Sequence, residues 1–276
     1  MHVKRFLLAA VVLSLGSVSL SRGGEAAPIL QMHRAVYDLS LLKADSMSDI
    51  SNVTGRMVVE WRGGPSCDGY TSLQRVVTDM SSESGVARND VRLSAWEALD
   101  GKSYRYERLT YFNGERSEKV SARVTNDPNA GKAEISIDGK APKPLSGSVL
   151  FPAVANIALI EAAEAGQRIL AQRIFDGAEE KATLSTAFIG APAKPGKDAR
   201  RVKIVNAGAG KLLTDMKAWP VRVAYFDDSP GDSEPDFQMV YRLYPNGVVT
   251  KLELDYPDMS LEGHLVGLEY FSPGSC

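Results

Sequence analysis

The chain is poor in the residues on which most enzyme chemistry is built. It holds three histidines and two cysteines in 276 residues. Beyond the first few positions only His33 and His264 remain, with no second His at i+3 or i+4 and no Cys at ligand spacing. A zinc site needs three or four such donors at one point, so no metal site is expected and both histidines read as structural. There is no G-x-S-x-G elbow. Ser40-Leu41-Leu42-Lys43 matches S-x-x-K, in which a lysine activates a serine, but the companion S-D-N stops short at Ser48-Asp49-Ile50 and K-T-G is missing. Asn206 to Lys211 is a weak phosphate-loop match. Val205 stands where its leading glycine belongs and Leu212 where a metal-binding hydroxyl belongs. The acidic run Asp227 to Asp236 offers oxygen ligands without the spacing of an EF-hand and reads as a solvated turn. We therefore expect no catalytic residue, no metal and no cofactor. The sequence singles out no ligand-binding residues.

Long apolar runs are equally scarce. The one candidate is Phe6 to Gly16, extended by Ser17 to Leu20, preceded by Lys4 and Arg5 and followed by small residues at Gly24-Glu25-Ala26. That order of basic, apolar and small residues is a secretory signal peptide, residues 1–26, with the mature chain starting at Ala27. The alternative, a membrane anchor, needs roughly 20 apolar residues, which this run does not reach. No Cys follows the cleavage site, so lipid attachment there is not expected. No later segment is apolar enough to span a bilayer. The expected location is the bacterial periplasm, with residues 27–276 as one domain. Removing Lys4, Arg5, Arg22 and Glu25 leaves 29 basic and 33 acidic residues. Such a surface gives no electrostatic reason to bind nucleic acid.

An oxidising compartment changes the meaning of the two cysteines. An isolated pair there usually bridges, so Cys67, in the turn Arg62-Gly63-Gly64-Pro65-Ser66-Cys67-Asp68-Gly69, is expected to pair with Cys276, the last residue. Two free thiols are the alternative.

Alternation of apolar and polar residues fills most of the chain. Ile135 and Ile137, then Val221, Val223 and Tyr225, then Leu252, Leu254 and Tyr256, each occupy every second position, the period of a strand with one covered face. Asp100-Gly101, Asn113-Gly114, Asp138-Gly139 and Pro245-Asn246-Gly247 separate such runs. Asn-Gly tolerates the positive φ of both central positions of a type I′ hairpin. About a dozen antiparallel strands are expected on this reading. His264 shares the alternation of Val266, Leu268 and Tyr270 and is expected to be half-buried. One segment, Phe151 to Ala165, breaks the pattern. Pro152 suits a first helical turn, Gly166 a helix end, and Glu164 can pair with Arg168. The rest is apolar nearly all round, so a buried helix near residues 151–165 should pack into the concave side of a curved sheet.

His33-Arg34-Ala35-Val36-Tyr37, Cys67-Asp68-Gly69-Tyr70, Leu150-Phe151-Pro152, Phe175-Asp176-Gly177 and the block from Tyr244-Pro245-Asn246-Gly247 to Leu261-Glu262-Gly263, closed by the terminal cysteine, form an ordered set. The set resembles the cell-envelope integrity protein B (EipB) family, over nearly all of the mature chain. The resemblance implies a monomeric, mainly β single domain. Its many antiparallel strands would form a spiral, or open barrel-like curved sheet, with a helix lodged in it and the early turn bridged to the C-terminus. It implies a non-enzymatic role in envelope integrity. The shape is similar to that of periplasmic lipoprotein carriers, so a lipid or lipoprotein ligand or a periplasmic protein is the expected partner. A hydrolase of envelope lipid or peptidoglycan, using Ser40, is the rival expectation.

Overall fold

The computed structural model describes residues 30–46, 48–195, 198–227, 234–272 and 276. The proposed signal peptide lies outside the described residues, as do residues 228–233 of the acidic run. Two halves of antiparallel strands flank one helix. The first half holds β1 (His33–Ala44), β2 (Ile50–Gly64), β3 (Gly69–Ser82), β4 (Gly85–Ala98), β5 (Ser103–Phe112), β6 (Glu115–Asp127), β7 (Lys132–Ile137) and β8 (Lys143–Leu145). The helix α1 (Pro152–Glu164) follows. The second half holds β9 (Ile169–Ile174), β10 (Thr183–Ile189), β11 (Lys203–Val205), β12 (Trp219–Asp227), β13 (Phe237–Leu243), β14 (Val249–Asp255) and β15 (Met259–Tyr270).

All fifteen strands belong to one sheet, ordered β8-β7-β6-β5-β4-β3-β2-β1-β15-β14-β13-β12-β10-β9, with β11 added in parallel to β15. The path runs from β8 to β9 without closing into a barrel. Among the described strands β1–β15 is the one pairing that joins the ends of the two halves, with β11 added beside β15; hairpins and short connections account for most of the rest, as the turn signals imply. The edge strand β9 is met by the segment before α1. Leu150 N–H donates to Arg173 O at 2.8 Å and Phe175 N–H to Leu150 O at 3.0 Å.

Residues Ala133, Ile135 and Ile137, then Val221 and Val223, then Leu252 and Leu254, are buried as their alternation requires. The helix lies against the inner face and joins three apolar clusters. Phe151, just before it, packs with Tyr104, Tyr106 and Phe175. Ala153 and Ile157 pack with Trp61, Tyr70 and Phe271. Leu159, Ile160, Ala162 and Ala163 pack with Trp219, Val221, Leu243 and Leu252. Its C-terminus is a Schellman end: Gly166 adopts φ +74° and its N–H reaches Ala163 O, while Gln167 N–H reaches Ala162 O at 2.9 Å.

Three local expectations are corrected. Tyr244-Pro245-Asn246-Gly247 is not a type I′ turn, because only Gly247 has positive φ. Pro245 fixes φ near −65°, so the chain makes an ordinary turn closed by Gly247 N–H to Tyr244 O at 2.9 Å and lets Gly247 take the left-handed position. His264 is exposed rather than half-buried. A bulge shifts the register between Val36/Gly267 and Tyr37/Leu265, so the residues facing inward change from Leu261, Gly263 and Leu265 to Leu268 and Tyr270. Arg168 lies beyond the end of α1, so the i, i+4 geometry with Glu164 does not form. Its guanidinium turns to Ile189 O at 3.4 Å.

Candidate functional site

The register puts the chain segments at each end of the curved sheet together. At one end lie the β2–β3 turn, the end of β15 and the start of α1. Cys67 and Cys276 form a disulfide here, with Cα atoms 5.6 Å apart and a sequence separation of 209 residues. Gly63 and Gly64 (φ +100° and +112°) and Asp68 (φ +57°) supply the left-handed backbone of that turn. Arg62 bonds Glu60, and its guanidinium stacks 4.0 Å over the Phe271 ring. Beneath this, Glu97 of β4 reaches the first turn of α1. Phe151, the residue before the helix, has no side chain to cap it. Glu97 supplies the missing acceptors, taking Ala153 N–H at 2.8 Å and Val154 N–H at 3.0 Å. Burial pushes its carboxyl up to about 7, against the pull of those two bonds. This end is held by a disulfide, an ion pair and two buried hydrogen bonds.

The opposite end is different. The register places the end of β1, the start of β2, the end of β3, the end of β12, the start of β13 and the β14–β15 turn there. Leu41, Ile50, Met80, Tyr225, Phe237, Met239 and Met259 pack against the central cluster yet stay only half-buried, and Met57 lies in the same layer. Tyr225 and Phe237 stack at 5.6 Å, and Phe237 meets Tyr256 at 4.7 Å, a ladder of three rings. Tyr256 is 40 % exposed. Four of the chain's eight methionines belong to this layer. Unbranched thioether side chains adapt to irregular apolar shapes, so this half-buried apolar layer, the mouth of the sheet, is its more deformable end. Burial raises the Tyr225 phenol above its usual range, so the mouth carries no charge of its own from that ring. Charged rim pairs stand beside it, with Lys181 bonded to Asp227 at 2.7 Å and to Glu179 at 3.3 Å.

None of the chemical candidates read from the sequence converges on either end to form a reactive constellation, and each takes an ordinary position. Ser40 donates to Glu262 Oε1 across the β1–β15 pair at 3.2 Å, so its partner is a carboxylate of the next strand rather than Lys43. His33 is buried, its Nδ1 2.6 Å from Gln31 O, and burial lowers its pKa. Asn206 to Lys211 holds a short 3-10 turn, Ala207–Ala209, rather than a phosphate loop at a helix. Among the described residues no group of three His, Cys, Asp or Glu could hold a metal ion. No helix of the described residues is long and apolar enough to cross a membrane. The mouth residues were not singled out by sequence. Met80, Met239 and Met259, each within two residues of a strand end, were the available sign.

The profile of the EipB-like family matches residues 24–272. This chain belongs to the EipB-like family. It is 33% identical over 246 residues to the cell envelope integrity protein EipB of Brucella abortus (strain 2308), covering 88% of this chain and 85% of that protein. The crystal structure of a beta-barrel-like protein of the domain of unknown function DUF1849, also from Brucella abortus, superposes with a TM-score of 0.80. It is 31% identical and covers 89% of this chain and 100% of that one. The architecture of this chain is thus shared with that beta-barrel-like protein.

Proposed function

We propose that this EipB-like protein is a monomeric, non-enzymatic factor of the periplasm. It helps to maintain the cell envelope by holding the acyl chain of a lipid or lipoprotein in the mouth opposite the disulfide. The observation that carries the reading is the layer of half-buried methionines around the Tyr225–Phe237–Tyr256 ladder. Each methylene moved from water into such a surface contributes about 0.8 kcal/mol, so a chain of about ten carbons supplies enough to be held without any charged contact. The name of the Brucella relative supports the envelope role, and the charge balance of the mature chain supports an uncharged ligand body over nucleic acid.

The test is native mass spectrometry of protein purified from periplasm without detergent, alongside the variant Phe237→Asp. Extra mass matching an acylated species in the wild type, lost in the variant, supports the reading. A bare mass in both, together with no displacement of an environment-sensitive fluorescent fatty acid, sinks it and leaves an apolar segment of a periplasmic protein as the partner to seek.

A further inference from the structure

A second feature lies away from the mouth. Strands β14 and β15 pair only from Leu252/Gly263 to Asp255/Ser260. Towards the other end of β14 they part, and a cleft of about 430 Å³ opens between them, lined by Arg201, Thr250, Lys251, His264, Leu265 and Val266. That volume lies within the range of small-molecule sites.

The two formally charged residues of the lining, Arg201 and Lys251, have one sign. Arg201 and Lys251 form no ion pair among the described residues, whereas many of the other arginines and lysines on the sheet do. His264 is the one member with a carboxylate beside it, Glu262 at 3.4 Å. The surrounding sequence is basic as well: residues 194–217 carry seven Lys and Arg against two Asp, in a chain whose net charge is −2. The backbone points the same way. Lys251 has φ +52°, an uncommon state for a residue with a long side chain. It sits in a bulge, where Arg242 pairs with Thr250 and Val240 with Glu253. Such bulges re-aim a side chain, and this one puts an unpaired lysine on the cleft. Two cations left without partners beside an apolar wall, Leu265 and Val266, match an anion attached to an apolar body.

We propose that the cleft between β14 and β15 binds a phosphate or carboxylate group through Arg201 and Lys251. The site stands independently of the mouth. Its ligand is a free anion or the headgroup of an acidic lipid, and both present the same oxygen acceptors to a guanidinium and an ammonium.

Titration calorimetry on the mature protein tests it. The probes are inorganic phosphate and a short-chain phosphatidylglycerol kept below its micelle concentration. The variants are Arg201→Gln and Lys251→Gly, the second chosen because glycine keeps the left-handed backbone. Arg222→Gln, on β12 and bonded to Gln238, is the control. Saturable binding that each cleft variant weakens roughly tenfold, with the control unchanged, supports the site. Tighter binding of the phosphatidylglycerol than of phosphate then identifies a lipid headgroup, and equal binding a free anion. Absence of saturable binding of either probe, or equal binding by wild type and both cleft variants, overturns the proposal.

Discussion

The buried carboxylate under the helix gives the sharpest prediction. Glu97 is 2 % exposed, and its two oxygens hold the first N–H groups of α1. Burial raises its carboxyl from 4.5 to about 7. The folded state therefore binds the proton more tightly than the unfolded state does. That contribution to stability is complete below pH 4.5 and is lost as pH rises through 7. At about 1.36 kcal/mol per pH unit, the loss is about 3 kcal/mol between about pH 4.5 and 8. His33 acts in the opposite sense, since burial lowers its pKa, so its contribution is present above 6.5 and fades on acidification. Comparing wild type with Glu97→Gln cancels the histidine. Glutamine keeps one acceptor and leaves one buried N–H facing an amide nitrogen, a cost of about 1–2 kcal/mol at every pH. The variant should be the less stable protein at pH 5, and by pH 8 the difference should have moved about 3 kcal/mol in its favour. Urea titrations followed by tryptophan fluorescence, with the disulfide intact, measure this directly. A difference between the two proteins that stays constant from pH 5 to pH 8 would refute the reasoning.

Three further predictions concern what fixes the curved sheet. Arg75 and Arg92 both bond Asp90 and hold its carboxyl down to about 2. The arginines are about half exposed, so the pair contributes about 1 kcal/mol, present above pH 3.8 and lost as pH falls towards 2. Asp90→Asn should remove that acid dependence in denaturant titrations between pH 2 and 5. Arg108 of β5 bonds the carbonyls of Gly177 and Ala178 and pairs with Glu118 at 3.1 Å. Arg108→Ala should cost about 2 kcal/mol and raise hydrogen exchange in the β9–β10 turn. Unchanged exchange there would show that the turn is held by its other contacts. Cys276→Ser opens a loop of 209 residues, for which chain entropy sets a ceiling of about 5 kcal/mol. Melting should fall, and exchange should rise near Tyr270. Identical melting with and without reductant would mean that the bridge contributes nothing.

Much of the architecture was legible in the sequence because it rests on local rules. Period-two alternation marked Ile135, Val223 and Leu254 as inward-facing, and Pro152 and Gly166 bracketed the helix closely at each end. Where a one-residue irregularity intervened, the same rule failed. The bulge at β1–β15 inverted the phase that His264 shares with Leu268, and no feature of the sequence announces a bulge. Long-range partners were also hidden. Glu97 looks like any solvent-facing strand residue until the fold brings α1, 56 residues later, onto its carboxylate. The mouth was missed for a similar reason. Met80 and Met239 lie far apart in sequence, and only the β1–β15 pairing brings their strands to one end of one sheet.

These contacts bear on what keeps an open sheet curled. The path of fourteen strands from β8 to β9, with β11 beside β15, has among the described residues no strand-to-strand seam at its ends, β9 being met instead by the single bridge at Leu150. Contacts across the interior add to the curvature, and the polar and covalent ones at Tyr104, Arg108 and Cys276 lie away from the mouth. The helix joins three clusters. Tyr104 donates to Asp176 O at 2.8 Å, and Arg108 bonds the adjoining carbonyls. The disulfide pins the last residue to the β2–β3 turn. The mouth itself is spanned mainly by side chains of low rigidity, methionine above all. On the proposed reading, a guest there would displace those side chains without breaking the disulfide or the Tyr104 and Arg108 bonds. The proposed acyl-chain site would thus pair a fixed frame with an adaptable apolar surface.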